Sequence, residues 1–119
     1  MSIEALWAVQ FTGANGARLA KSGGVIVLET GRIFGGDTWQ WYTGNYERNS
    51  NGTYKVSIQT GVHNREGGQS IFGGPLQAQK LVGEVQLSVD QQTMSANLTV
   101  EGAPQMRLTA TLKWVAPLP

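Results

Sequence analysis

The sequence predicts an all-β protein, a single domain over residues 1–119 folded as an eight-stranded antiparallel up-and-down barrel. Three observations predict it. Apolar and polar residues alternate with period two along most of the chain, as in strands with one buried face. Turn-forming residues interrupt the alternation at short intervals, so that successive runs read as hairpins. Only 14% of the residues are charged, so exposed sheet edges would have little to guard them, whereas closure removes edges altogether.

The elements follow in order. Trp7, Val9 and Phe11 share one face of a first strand over 5–12. The second, 24–30, contains the continuous apolar run Val25 to Leu28. Thr30-Gly31 is turn-prone, and Ile33-Phe34 lies in a third strand over 32–36. Residues 38–47, rich in Trp and Tyr, make the fourth. Asn51-Gly52 suits a type I′ hairpin, since both residues accept positive φ. The fifth strand, 53–61, alternates Tyr54, Val56 and Ile58 with Lys55, Ser57 and Gln59. In the sixth, 80–89, Leu81, Val85 and Leu87 share a face. Met94, Ala96, Leu98 and Val100 do so in the seventh, 93–101, and Met106, Leu108, Ala110, Leu112 and Trp114 in the eighth, 106–115. Asp90-Gln91 and Glu101-Gly102-Ala103-Pro104 are short connections. The apolar faces are expected to point into the barrel. Two connections are longer, Thr12 to Gly23 with a short helix-like window over 14–20, and Gly61 to Gln79. The string Ile33-Phe34-Gly35-Gly36 recurs as Ile71-Phe72-Gly73-Gly74, which is short enough to arise by chance.

Composition narrows the function. The net charge is +1 and no like-charge run occurs, so the stripe of a direct nucleic-acid binder is missing. One histidine and no cysteine leave almost nothing for a zinc site or a thiol nucleophile. Gly13-Ala14-Asn15-Gly16 lacks both dinucleotide and P-loop patterns, and no cofactor is expected. Met1-Ser2-Ile3-Glu4-Ala5 has neither the basic nor the apolar region of a signal peptide, and no stretch reaches the ~20 apolar residues of a membrane helix. A cytoplasmic protein that does not engage membranes is expected. His63 reads as a loop histidine. Asp37, beside Gly35-Gly36 and before Trp39 and Trp41, reads as a turn cap in preference to a buried general acid. The chain is therefore expected to bind rather than to catalyse.

Four Trp, three Tyr and three Phe are the main binding clue. Trp7, Phe11, Trp39, Tyr54 and Trp114 are candidates to line a lumen and touch a small apolar ligand, against the plainer reading that they plug the core. Trp41, Tyr42 and Tyr46 are candidates for a partner or dimer surface.

Leu6-Trp7-x-Val9-x-Phe11, Gly24-Val25-x-Val27, Gly31-Arg32-Ile33-Phe34-Gly35-Gly36-Asp37 and Tyr42-x-Gly44-x-Tyr46 together resemble the GrlR family. These proteins are negative regulators of type III secretion in Gram-negative bacteria. Ser70-Ile71-Phe72-Gly73 and the terminal Leu112 to Pro119 also fit. The string from Gly31 through Arg32, Gly35 and Gly36 to Asp37 is the most specific piece. The resemblance implies a lipocalin-like (calycin-like) barrel, a homodimer, and repression through sequestering a protein partner such as a transcriptional activator. It also implies that the lumen can hold an apolar molecule, so a lipocalin-type carrier is the alternative function. The family's acidic partner-binding run would fall in Glu47-Arg48-Asn49-Ser50-Asn51-Gly52. Here that stretch has one acid beside an arginine, so the same partner is not implied.

Overall fold

A computed structural model describes residues 3–13, 23–68, 77–88 and 90–119. Eight antiparallel strands run in chain order: β1 (Ala5–Gly13), β2 (Gly24–Glu29), β3 (Arg32–Gly36), β4 (Gln40–Arg48), β5 (Tyr54–Val62), β6 (Gln79–Leu87), β7 (Thr93–Val100) and β8 (Ala103–Ala116). Each pairs with the next, and β1 pairs with β8, so the sheet closes as an up-and-down barrel. No helix occurs among the described residues. The helix-like window at 14–20, the repeated string at 71–74, the Ser70 to Gly73 match and the last residue expected in the sixth strand, Val89, lie outside them.

The alternation sets the register. Ile26 and Leu28, Val56, Val85, Met94, Ala96, Leu98, Leu108, Ala110 and Leu112 are all buried, and their odd-numbered or even-numbered neighbours face out. Trp7 is almost fully buried, and its Nε1 donates to the Ile3 carbonyl at 3.0 Å, which satisfies the one polar group of that side chain.

Turns depart from expectation in two places. Thr30 and Gly31 both have positive φ, 53° and 79°, so this pair forms the type I′ turn. Asn51-Gly52 does not. Only Gly52 has positive φ, 89°, and Gly52 N donates to Asn49 O at 3.1 Å, which makes a longer loop. The reason lies in Asn51, whose Oδ1 accepts from Thr53 N and Thr53 Oγ1 at 3.1 and 2.7 Å. That local bond holds Asn51 outside the left-handed region.

β4 begins at Gln40 rather than 38 because Asp37 holds residues 37–40 in a turn. β8 begins early, at Ala103, through Pro104. Its pairing with β7 jumps from Val100↔Ala103 to Thr99↔Arg107, and this irregularity accommodates a proline that has no N–H to give. A second irregularity lies between Leu6 and Trp7 opposite the end of β8, where Leu6 pairs with Ala116 and Trp7 with Trp114.

Candidate functional site

Strand direction sorts the connections between the two ends of the barrel. The β1–β2, β3–β4, β5–β6 and β7–β8 connections share one end, and both long ones leave from it. At this end the Asp37 carboxylate organises the rim. Its Oδ1 accepts from Trp39 N and Gln40 N at 2.8 and 2.7 Å, and its Oδ2 accepts a short bond from the Tyr42 hydroxyl. The residue is thus a turn cap that also reaches a buried phenol. Burial first, and then the bond to Asp37 and its charge, push the Tyr42 pKa well above the usual tyrosine value.

The same turn is tied to the start of the β5–β6 connection. His63 N and Asn64 N donate to Trp39 O at 2.9 and 3.2 Å, and Trp39 Nε1 donates to Glu66 O at 2.9 Å. His63 Nε2 lies 2.9 Å from the Asp37 carbonyl, so that nitrogen carries the proton and donates. The histidine meets the Asp37 backbone, not its carboxylate.

Inside the barrel is a cavity of about 50 Å³. Phe11, Tyr42 and Thr60 line it toward the rim, and Ile3, Tyr46 and Tyr54 toward the opposite end. Thr60 is satisfied, since its Oγ1 donates to Gln79 O and accepts from Gln79 N at 3.3 and 3.1 Å. Phe11 packs edge-on against Tyr42, and Tyr46 against Tyr54. Pockets for drug-sized ligands run to ~300–1,000 Å³, so side chains occupy most of this lumen.

Of the residues expected in the lumen, Phe11 and Tyr54 line the cavity. Trp7 points inward but is packed into the core without lining it. Trp39 is not a lumen residue, because the Asp37 turn places it on the rim with its indole bonded to Glu66. Trp114 is also not one; it pairs in register with Trp7 near the end of β8, where it is exposed and does not line the cavity. Of the three expected surface aromatics, Tyr42 and Tyr46 are corrected to the inside, since even-numbered residues of β4 face the lumen. Trp41 faces out.

The outer wall carries an arrangement the sequence reading missed. One row of register partners runs Ala8, Val25, Gly36, Trp41, Gly61 across β1 to β5. The next runs Ala116, Leu6, Val27, Phe34, Thr43, Gln59 from β8 to β5. Neither contains a charge over these strands, and each ends at a lysine, Lys113 opposite Ala8 on β8 and Lys80 opposite Gln59 on β6. Val25, Phe34 and Trp41 are 47%, 40% and 41% exposed. The Trp41 indole lies over Gly61, where a Cβ would overlap the ring. On the far side of the barrel the matching rows are polar, such as Gln10, Thr111, Ser95, Gln86 and Thr12, Thr109, Asn97, Glu84, Lys55, Glu47. A transmembrane barrel instead carries an apolar band all round. The run Val25 to Leu28 held the missing signal: four successive apolar residues put two of them on the outer face whichever way the strand is turned.

The Gly31 to Asp37 string reads structurally as a hairpin and its exit. Gly31 supplies positive φ, Arg32 pairs with Glu29 at 3.4 Å, Gly35 admits the close approach of β2, and Asp37 caps the next turn. Gly35 and Gly36 do not have positive φ among the described residues. Gly36 is required for space: a Cβ there would sit 2.7 Å from the Gln40 carbonyl oxygen. Compared with protein-family models and with curated proteins, the sequence matches none.

Proposed function

We propose that this chain is a non-enzymatic bacterial regulatory protein that acts by protein–protein contact, in the manner of a GrlR-like negative regulator of transcription or type III secretion. The observation that carries the reading is the contrast between the two faces of the barrel wall. The lumen retains about 50 Å³, whereas the outside presents Phe34 and Trp41 on adjoining strands with Val25 beside them. Aromatic side chains exposed together on an uncharged surface are the type that carries binding energy between proteins. The fold agrees with the one the resemblance implies.

Deleting the gene and supplying it in excess tests the reading, with transcript profiles as the readout and tagged protein recovered from the same cells. A set of transcripts that rises on deletion and falls on excess, together with a stoichiometric protein partner, supports it. Unchanged transcripts and no protein partner sink it.

The carrier alternative rests on the cavity itself. Its volume confines a ligand to a few heavy atoms unless the wall moves, and recovery of a small apolar molecule without a protein partner would favour it.

A further inference from the structure

We propose that the two uncharged rows on the outer wall of β1–β4 are a docking site for a short, uncharged, apolar segment of a partner protein. This rests on the protein-binding reading above and names the surface and the chemistry it selects. The site centres on Phe34 and Trp41, which stand on adjoining strands. Gly36 lies between Val25 and Trp41 in one row, and Phe34 stands two residues along the same strand. The Trp41 ring leans over Gly61, away from Gly36. Backbone of Gln40 and Trp41 fills the space beside Gly36, so the face is made by the side chains of Val25, Phe34 and Trp41 themselves.

Area selects among occupants. Taking the usual aromatic side-chain area, the exposed parts of Val25, Phe34 and Trp41, with contributions from half-buried Leu6 and Val27, come to roughly 300 Å². A stable association between globular partners covers about 800 Å² on each side. The patch is too small for a second copy of this chain to be held by it alone, and it matches a short segment with one or two apolar anchors. Over β1–β4 the rows contain no formal charge to recognise one on the partner, and burying an unpaired charge against them would be costly. The barrel is closed, so the segment cannot add as another strand and must be held through side chains.

Selection from a displayed library of random peptides about twelve residues long, with the whole protein as bait, tests this. The expected outcome is enrichment of uncharged peptides with apolar anchors. Titrating an enriched peptide should shift the amides of Val25, Val27 and Phe34 and the Trp41 indole in heteronuclear NMR spectra. Phe34→Ser should weaken binding about tenfold or more. Gly61→Ala should do the same without altering any contacting group, because its methyl displaces the indole. Melting of both variants, followed alongside, shows whether the fold is intact. No enrichment, a charged consensus, shifts on another face, or affinity unchanged in folded variants overturns the proposal, as does a dimer in sedimentation that buries this face. These outcomes leave the regulatory reading standing, since that reading fails on the transcript and partner measurements instead.

Discussion

Tyr42 is held neutral by its surroundings, and that makes it a liability at high pH. Its folded pKa lies above the unfolded value near 10, through burial and then through Asp37. Above pH ~10 the unfolded chain releases the tyrosine proton while the folded chain keeps it. Stability present below that pH is therefore lost as pH rises, by up to ~1.4 kcal/mol per unit for this one group. Urea midpoints taken from pH 8 to 11 should fall for the wild type and fall less steeply for Tyr42→Phe. Equal slopes would show that Tyr42 is not the group responsible. At neutral pH the same substitution removes the hydroxyl that partners Asp37 Oδ2, at an expected cost of about 1–3 kcal/mol. Of this pair, Asp37 was legible as a cap, because aspartate beside glycine forms such turns. The inward aim of Tyr42 was not. β4 carries aromatics at Trp41, Tyr42 and Tyr46, on both of its faces, so alternation alone does not choose between them.

At the level of the strand and its turn, the β2–β3 hairpin has a local mismatch. Thr30 occupies φ 53°, a region that disfavours β-branched side chains. The bonds that fix the turn come from the backbone, with Thr30 N donating to Glu4 Oε2 at 2.7 Å and Tyr46 N to Gly31 O at 2.8 Å. Thr30→Asn keeps both and supplies the Asn-Gly pair that type I′ turns favour. It should raise stability by about 0.5–1 kcal/mol, read as a higher urea midpoint with an unchanged slope. A lower midpoint would mean that the threonine side chain has a role of its own. The strands themselves were largely readable from period two, with most boundaries within two residues of expectation. Turn chemistry was less so. Asn-Gly at 51–52 gives the stronger sequence signal for a type I′ turn, yet Thr30-Gly31 adopts it, because the side chain of Asn51 is spent on Thr53.

Across the whole molecule, eight alternating strands announced closure, but the state of the lumen depends on which side chains meet across it and how tightly the wall curves. Two inward positions show the curvature. Gly44 lies between Ile33 and Ile58, and Gly83 between Val56 and Leu98. A Cβ at either would overlap a carbonyl oxygen of the adjoining strand, Ser57 or Asn97. Gly83→Ala should therefore destabilise by about 1–3 kcal/mol, the range for forcing atoms into a packed wall, and a variant as stable as wild type would show that the wall yields. With the wall drawn in, about 50 Å³ remains, well below the ~150 Å³ of an apolar cavity that accepts benzene. The wild-type protein should accordingly leave benzene unbound. Leu98 lines the cavity and is buried, so Leu98→Ala should enlarge it, lower stability by about 2–5 kcal/mol, and admit benzene. If that loss unfolds the domain, Ile58→Val enlarges the same cavity at a smaller cost of about 0.5–1.5 kcal/mol. Amide shifts of Val56, Val85 and Ala110 on titration report occupancy from inside the wall. Benzene bound by the enlarged variant alone means the native lumen is a packed core, which leaves the outer wall to do the binding. Saturable shifts in the wild type would instead mean that the wall opens to small apolar molecules, and the carrier reading would then displace the regulatory one.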